Sequence, residues 1–113
     1  MIFSEKFLQI SIIEGVDQYI FIDNKGNIVA HDIKDPQKVS DMVFSCGQNI
    51  RVIGKNKFKY AVFSRKNKKN IMIFPIGNYS LGVIKQKDAD TLVLVDIILK
   101  FLHEFLGVGN YIN

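Results

Sequence analysis

An α+β fold, with five antiparallel strands in one sheet and helices on both of its faces, is what this 113-residue sequence predicts. Three observations carry that prediction. Five short runs are rich in β-branched and aromatic residues, and they are separated by Gly, Asn and Lys turn signals. Three other segments repeat apolar residues at steps of three and four, the period of an amphipathic helix. The connections are of ordinary length, with no internal repeat and no low-complexity linker. The order read along the chain is helix, two strands, helix, three strands, helix.

The first helix is expected over Ser4–Glu14, with Phe3, Phe7 and Ile10 on one face and Ser4 as N-cap, and Gly15 ends it. Val16–Asp23 and Ile28–Ala30 form a hairpin around Asn24-Lys25-Gly26-Asn27, where the glycine supplies a positive φ. Asp35-Pro36 opens the central helix, because a proline at the first helical position loses no hydrogen bond. Its stripe is Val39, Met42, Val43, Cys46, Ile50 and Ile53, and Gly54 closes it. Phe58–Arg65, Ile71–Ile76 and Ser80–Gln86 read as an antiparallel meander. Asp88 is the expected N-cap of the last helix, whose face is Leu92, Val95, Leu99, Leu102 and Leu106, widened by Ile98, Phe101 and Phe105, before Gly107.

An apolar content of 48% with 12% aromatics is globular composition, and the length fits one domain over residues 1–113. One cysteine, Cys46, cannot make an intrachain disulfide, so nothing points to an oxidising compartment. Glu5, Lys6 and Glu14 interrupt the first fifteen residues and spoil both a signal-peptide core and a membrane span. A cytoplasmic location is the reading that follows.

The net charge of +4 is unevenly spread. All eleven acids lie in Glu5–Asp41 or Asp88–Glu104, whereas Met42–Lys87 holds ten bases and no acid. Seven of those bases, Lys55, Lys57, Lys59, Arg65, Lys66, Lys68 and Lys69, form a patch able to steer an acidic partner. Thirteen lysines to two arginines also fits a general compositional bias with solvated turns. The aromatics Phe58, Tyr60 and Phe63 among these bases superficially suggest base stacking, but they alternate as in any strand with one buried face, so nucleic acid is a minority reading.

Catalytic and metal constellations are poorly supported. His31 and His103 have no Cys, Asp or Glu at ligand spacing. Cys46 sits in an apolar stripe with no activating base near it in sequence. No P-loop or dinucleotide fingerprint occurs, so no cofactor is expected. Asp17 and Asp23, six apart, point to one side of a strand, yet Asp23 fits better as the first residue of a turn.

Two segments carry a family resemblance: Gly15-Val16-Asp17-Gln18-Tyr19-Ile20-Phe21-Ile22-Asp23-Asn24-Lys25-Gly26-Asn27-Ile28-Val29-Ala30 and Ile73-Phe74-Pro75-Ile76-Gly77-Asn78-Tyr79-Ser80-Leu81-Gly82-Val83-Ile84. In this order the chain resembles the roadblock/LC7 family, from about Phe7 to Leu106. Gln18 stands where many members have a small residue, and His31-Asp32 replaces small residues. The resemblance implies a roadblock/longin/profilin-like sheet of order 2-1-5-4-3, with the central helix on one face and the first and last on the other. It further implies homodimers paired through the third strand and central helix, here Val39, Met42, Val43, Cys46, Ile50, Phe58, Tyr60 and Val62. Small Ras-like GTPases or related signalling subunits are the partners it implies. The alternatives are a PAS- or GAF-like sensor with a ligand pocket on one sheet face, and a basic nucleic-acid-binding protein.

Overall fold

A computed structural model describes residues 8–54 and 60–106, with side chains described over 8–50 and 60–104. A 3-10 turn, η1 (Ile10–Ile12), leads to β1 (Val16–Ile22) and β2 (Ile28–His31). Helix α1 (Pro36–Gly54) follows, then β3 (Ala61–Arg65), β4 (Lys68–Ile76), β5 (Tyr79–Lys85) and helix α2 (Thr91–Leu106). The strands form one antiparallel sheet in the order β2-β1-β5-β4-β3, as the resemblance implies.

The three inner strands are buried on both faces and therefore read as nearly unbroken apolar runs. Tyr19, Phe21, Met72, Phe74, Leu81 and Val83 face α2 and η1, packing with Leu94, Val95, Ile98 and Leu102. Ile20, Ile22, Ile71, Ile73 and Ile84 face the other way, onto Val43 and Ile50 of α1. The outer strands β2 and β3 are only partly covered, and β3 alternates half-buried and exposed positions.

The elements differ from the sequence expectations in four places. The described part of the first segment is a 3-10 turn, and the rest of Ser4–Glu14 lies outside the described residues. Its bonds run from Ser11 N–H to the Leu8 carbonyl and from Ile13 N–H to the Ile10 carbonyl, and the Ser11 hydroxyl donates to the Leu8 carbonyl too. Three isoleucines and a serine that bonds its own backbone are poor at extending such a turn. β4 begins at Lys68 instead of Ile71, because Asn67 takes the left-handed φ of 57° and folds the chain back within two residues.

The cap of α2 is Asp90, not Asp88: the Asp90 carboxylate accepts the Val93 N–H at 3.0 Å. Asp88 is instead inside a reverse turn closed by Ala89 N–H on the Gln86 carbonyl. The buried stripe of α2 keeps Val95 and Leu102 of the expected face and adds Leu94 and Ile98, whereas Leu92 is 71% exposed. Phe58 and the start of the expected third strand lie outside the described residues, as do the side chains of Ile53 and Leu106.

The hairpin of β1 and β2 is built as expected, on Asp23 and Gly26 (φ +87°). The Asp23 carboxylate accepts the backbone N–H groups of Lys25 and Asn27, both at 2.9 Å, and the Asn27 side-chain amide at 3.1 Å. At the far end of the pair, Asp32 accepts the Tyr19 N–H at 2.8 Å while Asp32 N–H reaches the Tyr19 carbonyl. The departure from small residues at His31-Asp32 thus lengthens the pairing of β1 and β2.

Gly82 governs how closely α1 can approach. A Cβ at this position would lie 2.6 Å from Val43 Cγ2 and 3.1 Å from Ile20 Cγ2. Both neighbours are β-branched, fully buried and stiff about χ1, so neither can swing aside. Gly82→Ala is expected to destabilise the fold by about 1–3 kcal/mol, read as a lower urea midpoint at unchanged slope. Val43→Ala in the same chain should recover part of that loss, because it removes the atom in the way.

A second expectation concerns pH. The Asn27 N–H, foremost, holds the Asp23 carboxyl below its ordinary value of 3.8, helped by the Lys25 N–H, the Asn27 amide and the Lys25 charge against the opposing effect of desolvation. A carboxyl depressed in the folded state contributes stability above its unfolded value, and that contribution disappears as pH falls through the folded one. Melting temperatures taken from pH 5 down to pH 2 should therefore fall less steeply in Asp23→Asn than in the unaltered protein.

Candidate interaction surfaces

Among the described residues, the strand order leaves β3 with one paired side and one open side. Its described residues bond to β4 through Ala61↔Ile73, Val62↔Met72, Phe63↔Ile71 and Arg65↔Lys68. Ala61 and Phe63 lie on the α1 side of the sheet and pack against the cluster beneath that helix. Val62, 37% exposed, alternates with them, and Tyr60 packs on the opposite face with its ring 6.0 Å from that of Phe74.

The expected α1 stripe divides in two. Val43 (0% exposed) and Ile50 (8%) are committed to the chain's own core. Val39, Met42 and Cys46 are half-buried at its margin and retain accessible surface. Burial pushes the Cys46 thiol above its ordinary value, which keeps it a thiol and a poor nucleophile. The surface that α1 and β3 present on one side of the sheet is therefore Val39, Met42, Cys46, Ala61 and Phe63. Ala61 and Phe63 were not among the sequence candidates, although the period of two along β3 places them opposite Tyr60 and Val62.

Of the expected basic patch, Lys55, Lys57 and Lys59 lie outside the described residues. Arg65, Lys66, Lys68 and Lys69 gather at the β3–β4 hairpin. Arg65 Nε donates to the Lys69 carbonyl at 2.7 Å, which holds the guanidinium across the hairpin. Lys69 Nζ is 3.2 Å from Asp17, at the start of β1, where a register shift between Val16 and Gln18 interrupts the alternation. Asp17 and Asp23 consequently serve opposite ends of β1, about 20 Å apart at 3.3 Å per residue, and form no pair.

Beside this hairpin lies a shallow cleft of about 660 Å³, lined by Asp17, Gln18, Arg65, Asn67, Lys68, Lys69, Ile84 and Lys87. One wall is fixed by a buried lysine that sequence reasoning missed. Lys85 is 7% exposed, and its ammonium donates to the carbonyls of Ala89 (2.8 Å), Gln86 (3.2 Å) and Lys87 (3.4 Å). The turn from β5 to α2, which carries Lys87, is thereby gathered around one charge. Gln86 ties the same turn to β1, through its N–H on the Gly15 carbonyl and its side-chain amide on the Val16 carbonyl.

His31 is exposed and its Nδ1 accepts the Ile33 N–H, and His103 is half-buried on α2. Among the described residues no group of three or more His, Cys, Asp or Glu side chains is placed to hold a metal ion. No helix there is long and apolar enough to cross a membrane.

A single antiparallel sheet of order β2-β1-β5-β4-β3, covered on both faces, defines the class of α+β fold to which this chain belongs. The particular fold is that of roadblock/LC7 domains. A structure described as MglB with tetrameric arrangement is similar at a TM-score of 0.68 and 19% identity, covering 91% of this chain and 84% of that one. The gliding protein MglB from Thermus thermophilus gives 0.65 and 18%, over 86% of this chain and 82% of its own. A roadblock/LC7 domain from Streptomyces avermitilis gives 0.63 and 11%, over 90% and 96%. No protein-family model matches the sequence, and no curated protein matches it significantly.

Replacing Lys85 by Met keeps the length of the side chain and removes its charge, leaving three turn carbonyls without their shared donor. A stability loss of about 2–3 kcal/mol is expected, together with faster amide exchange at Lys87–Ala89 and little change in the β3–β4 hairpin.

Proposed function

We propose that this chain is a non-catalytic, homodimeric regulator or scaffold that binds a small Ras-like GTPase or a related signalling subunit in the cytoplasm. The observation that carries the reading is the open edge of β3, bordered on the same side of the sheet by the half-exposed α1 residues Val39, Met42 and Cys46. An unpaired strand edge is a template for a second strand. A twin copy supplies one with the same spacing of donors and acceptors, and a two-fold contact of this kind is self-complementary. Strand pairing plus helix contact can reach the roughly 1,600 Å² of an ordinary stable interface.

The likeness to roadblock/LC7 and MglB structures supports this reading through the fold, and the resemblance of the Gly15–Ala30 and Ile73–Ile84 segments supports it through sequence. The basic hairpin residues Arg65, Lys66, Lys68 and Lys69 would speed encounter with an acidic partner. The partner reading includes a role in stimulating GTP hydrolysis, in which this chain would contribute surface to the partner's active site.

Sedimentation at micromolar concentration should give a particle of about twice 12.9 kDa. Ala61→Pro, which places a proline on the edge strand, combined with Met42→Asp should convert it to a folded monomer, and oxidative cross-linking through Cys46 should weaken in parallel. A monomeric unaltered protein, or a dimer indifferent to both changes, refutes the pairing. For the partner, a Ras-like GTPase from the same organism, loaded with GDP or a non-hydrolysable GTP analogue, should bind in one nucleotide state more than the other. Equal or absent binding refutes that half.

A further inference from the structure

The cleft beside the β3–β4 hairpin shares Arg65, Lys68 and Lys69 with the basic hairpin but does not depend on the pairing of β3, and its charges are arranged unlike a solvated lysine row. Its four cations come from three separate segments: Arg65 from β3, Lys68 and Lys69 from β4, and Lys87 from the turn after β5. They surround one hollow, and among the described residues the only carboxylate lining it is that of Asp17. The backbone beneath them is fixed in advance. Arg65 spans the hairpin to the Lys69 carbonyl, Asn67 sets the tight turn, and Lys85 clamps the loop that carries Lys87. Of the five N–H donors of Arg65, only Nε–H is committed to this hairpin bond. Neither Lys68 nor Lys87 forms an ion pair among the described residues.

Four like charges held around one concavity repel each other, and an anion placed among them relieves the repulsion. The cleft is shallow and about 660 Å³ in volume, so a single phosphate group would fill only a fraction of it. Arginine and lysine together are the residues that recognise phosphate oxygens, one by its planar fork and the other as a point charge. We propose that this cleft binds a small molecule carrying two or more linked phosphate groups, with Arg65, Lys68, Lys69 and Lys87 as its ligands. In the free protein Asp17 holds Lys69 as an internal counter-ion. The ligand takes over Lys69, so the carboxylate opposes binding and sets its strength.

Pyrophosphate is the simplest probe. Calorimetry at low ionic strength, with backbone amide shifts followed in parallel, should show one saturable site centred on the amides of residues 17–18, 65–69 and 84–87. Lys68→Gln with Lys87→Gln should weaken binding about tenfold; both side chains are exposed, so the fold is expected to survive. Lys25→Gln with Lys34→Gln removes the same charge from exposed positions elsewhere and should leave binding nearly unchanged. Asp17→Asn should tighten it severalfold, a change that general loss of structure cannot mimic.

Inorganic monophosphate should bind more weakly than pyrophosphate. The proposal is overturned if pyrophosphate does not bind at low salt, if the two lysine pairs weaken it equally, or if Asp17→Asn weakens it. It is overturned equally if a glutamate decapeptide or a single-stranded oligonucleotide occupies the cleft while pyrophosphate does not, since the site would then belong to a macromolecule.

Discussion

Everything in this molecule is arranged around the contact of Val43 with the bare backbone of Gly82. A sheet of five strands can be covered on both faces only if each helix comes close enough to exclude water from the side chains between. On the α1 face that approach is limited by β5, the middle strand, and a glycine there lets the helix settle onto Ile20 and Ile71. With α1 seated, Ile22, Ile73 and Ile84 are also removed from water, each contributing on the order of 1.5–3 kcal/mol. The inner strands β1, β5 and β4 are thereby saturated, and whatever the protein offers to other molecules has to come from its margins.

Those margins follow from the strand order. Because β5 returns to the middle of the sheet, β2 and β3 are left outside. β2 is short, and its end is extended by the exchange between Asp32 and Tyr19. Among the described residues β3 keeps an open side, and Arg65 is its last residue. A bulky cation at the end of an edge strand discourages indiscriminate pairing, yet the same guanidinium is drawn back over the hairpin by the Lys69 carbonyl.

How much of this could be read from residues depends on whether the signal is local. Gly26, Asp23 and the Asp35-Pro36 helix start are local signals, and they stand where the sequence puts them. Neighbouring of β1 with β5 is set by residues some sixty positions apart in the chain, and no run of β-branched residues states which other run it will meet, so strand order rested on the family resemblance. Asp88 and Asp90 are equally good N-caps in isolation. The choice between them is made by Lys85, which gathers the Gln86, Lys87 and Ala89 carbonyls and uses up the first aspartate in a turn. The face of α2 that meets the sheet is centred on Leu94, Val95, Ile98 and Leu102, and Leu92 lies outside it. A lysine in a strand reads as solvent-facing, and nothing near Lys85 in sequence signals that three carbonyls will surround it.

The candidate surfaces were legible in the same uneven way. Lysines 66, 68 and 69 with Arg65 announce a basic hairpin because they are adjacent, but Asp17 and Lys87 reach the same place only through the pairing of β1 with β5 and of β5 with β4. Spacing likewise suggested one continuous stripe on α1, whereas a helix lying on a sheet must spend its central residues on the core and keep only its flank for others. Val43 and Ile50 are spent in this way, and Val39, Met42 and Cys46 are the flank. The physical rule behind both cases is that a periodic pattern identifies which residues avoid water, while only the packed sheet decides whether they avoid it against their own chain or against another.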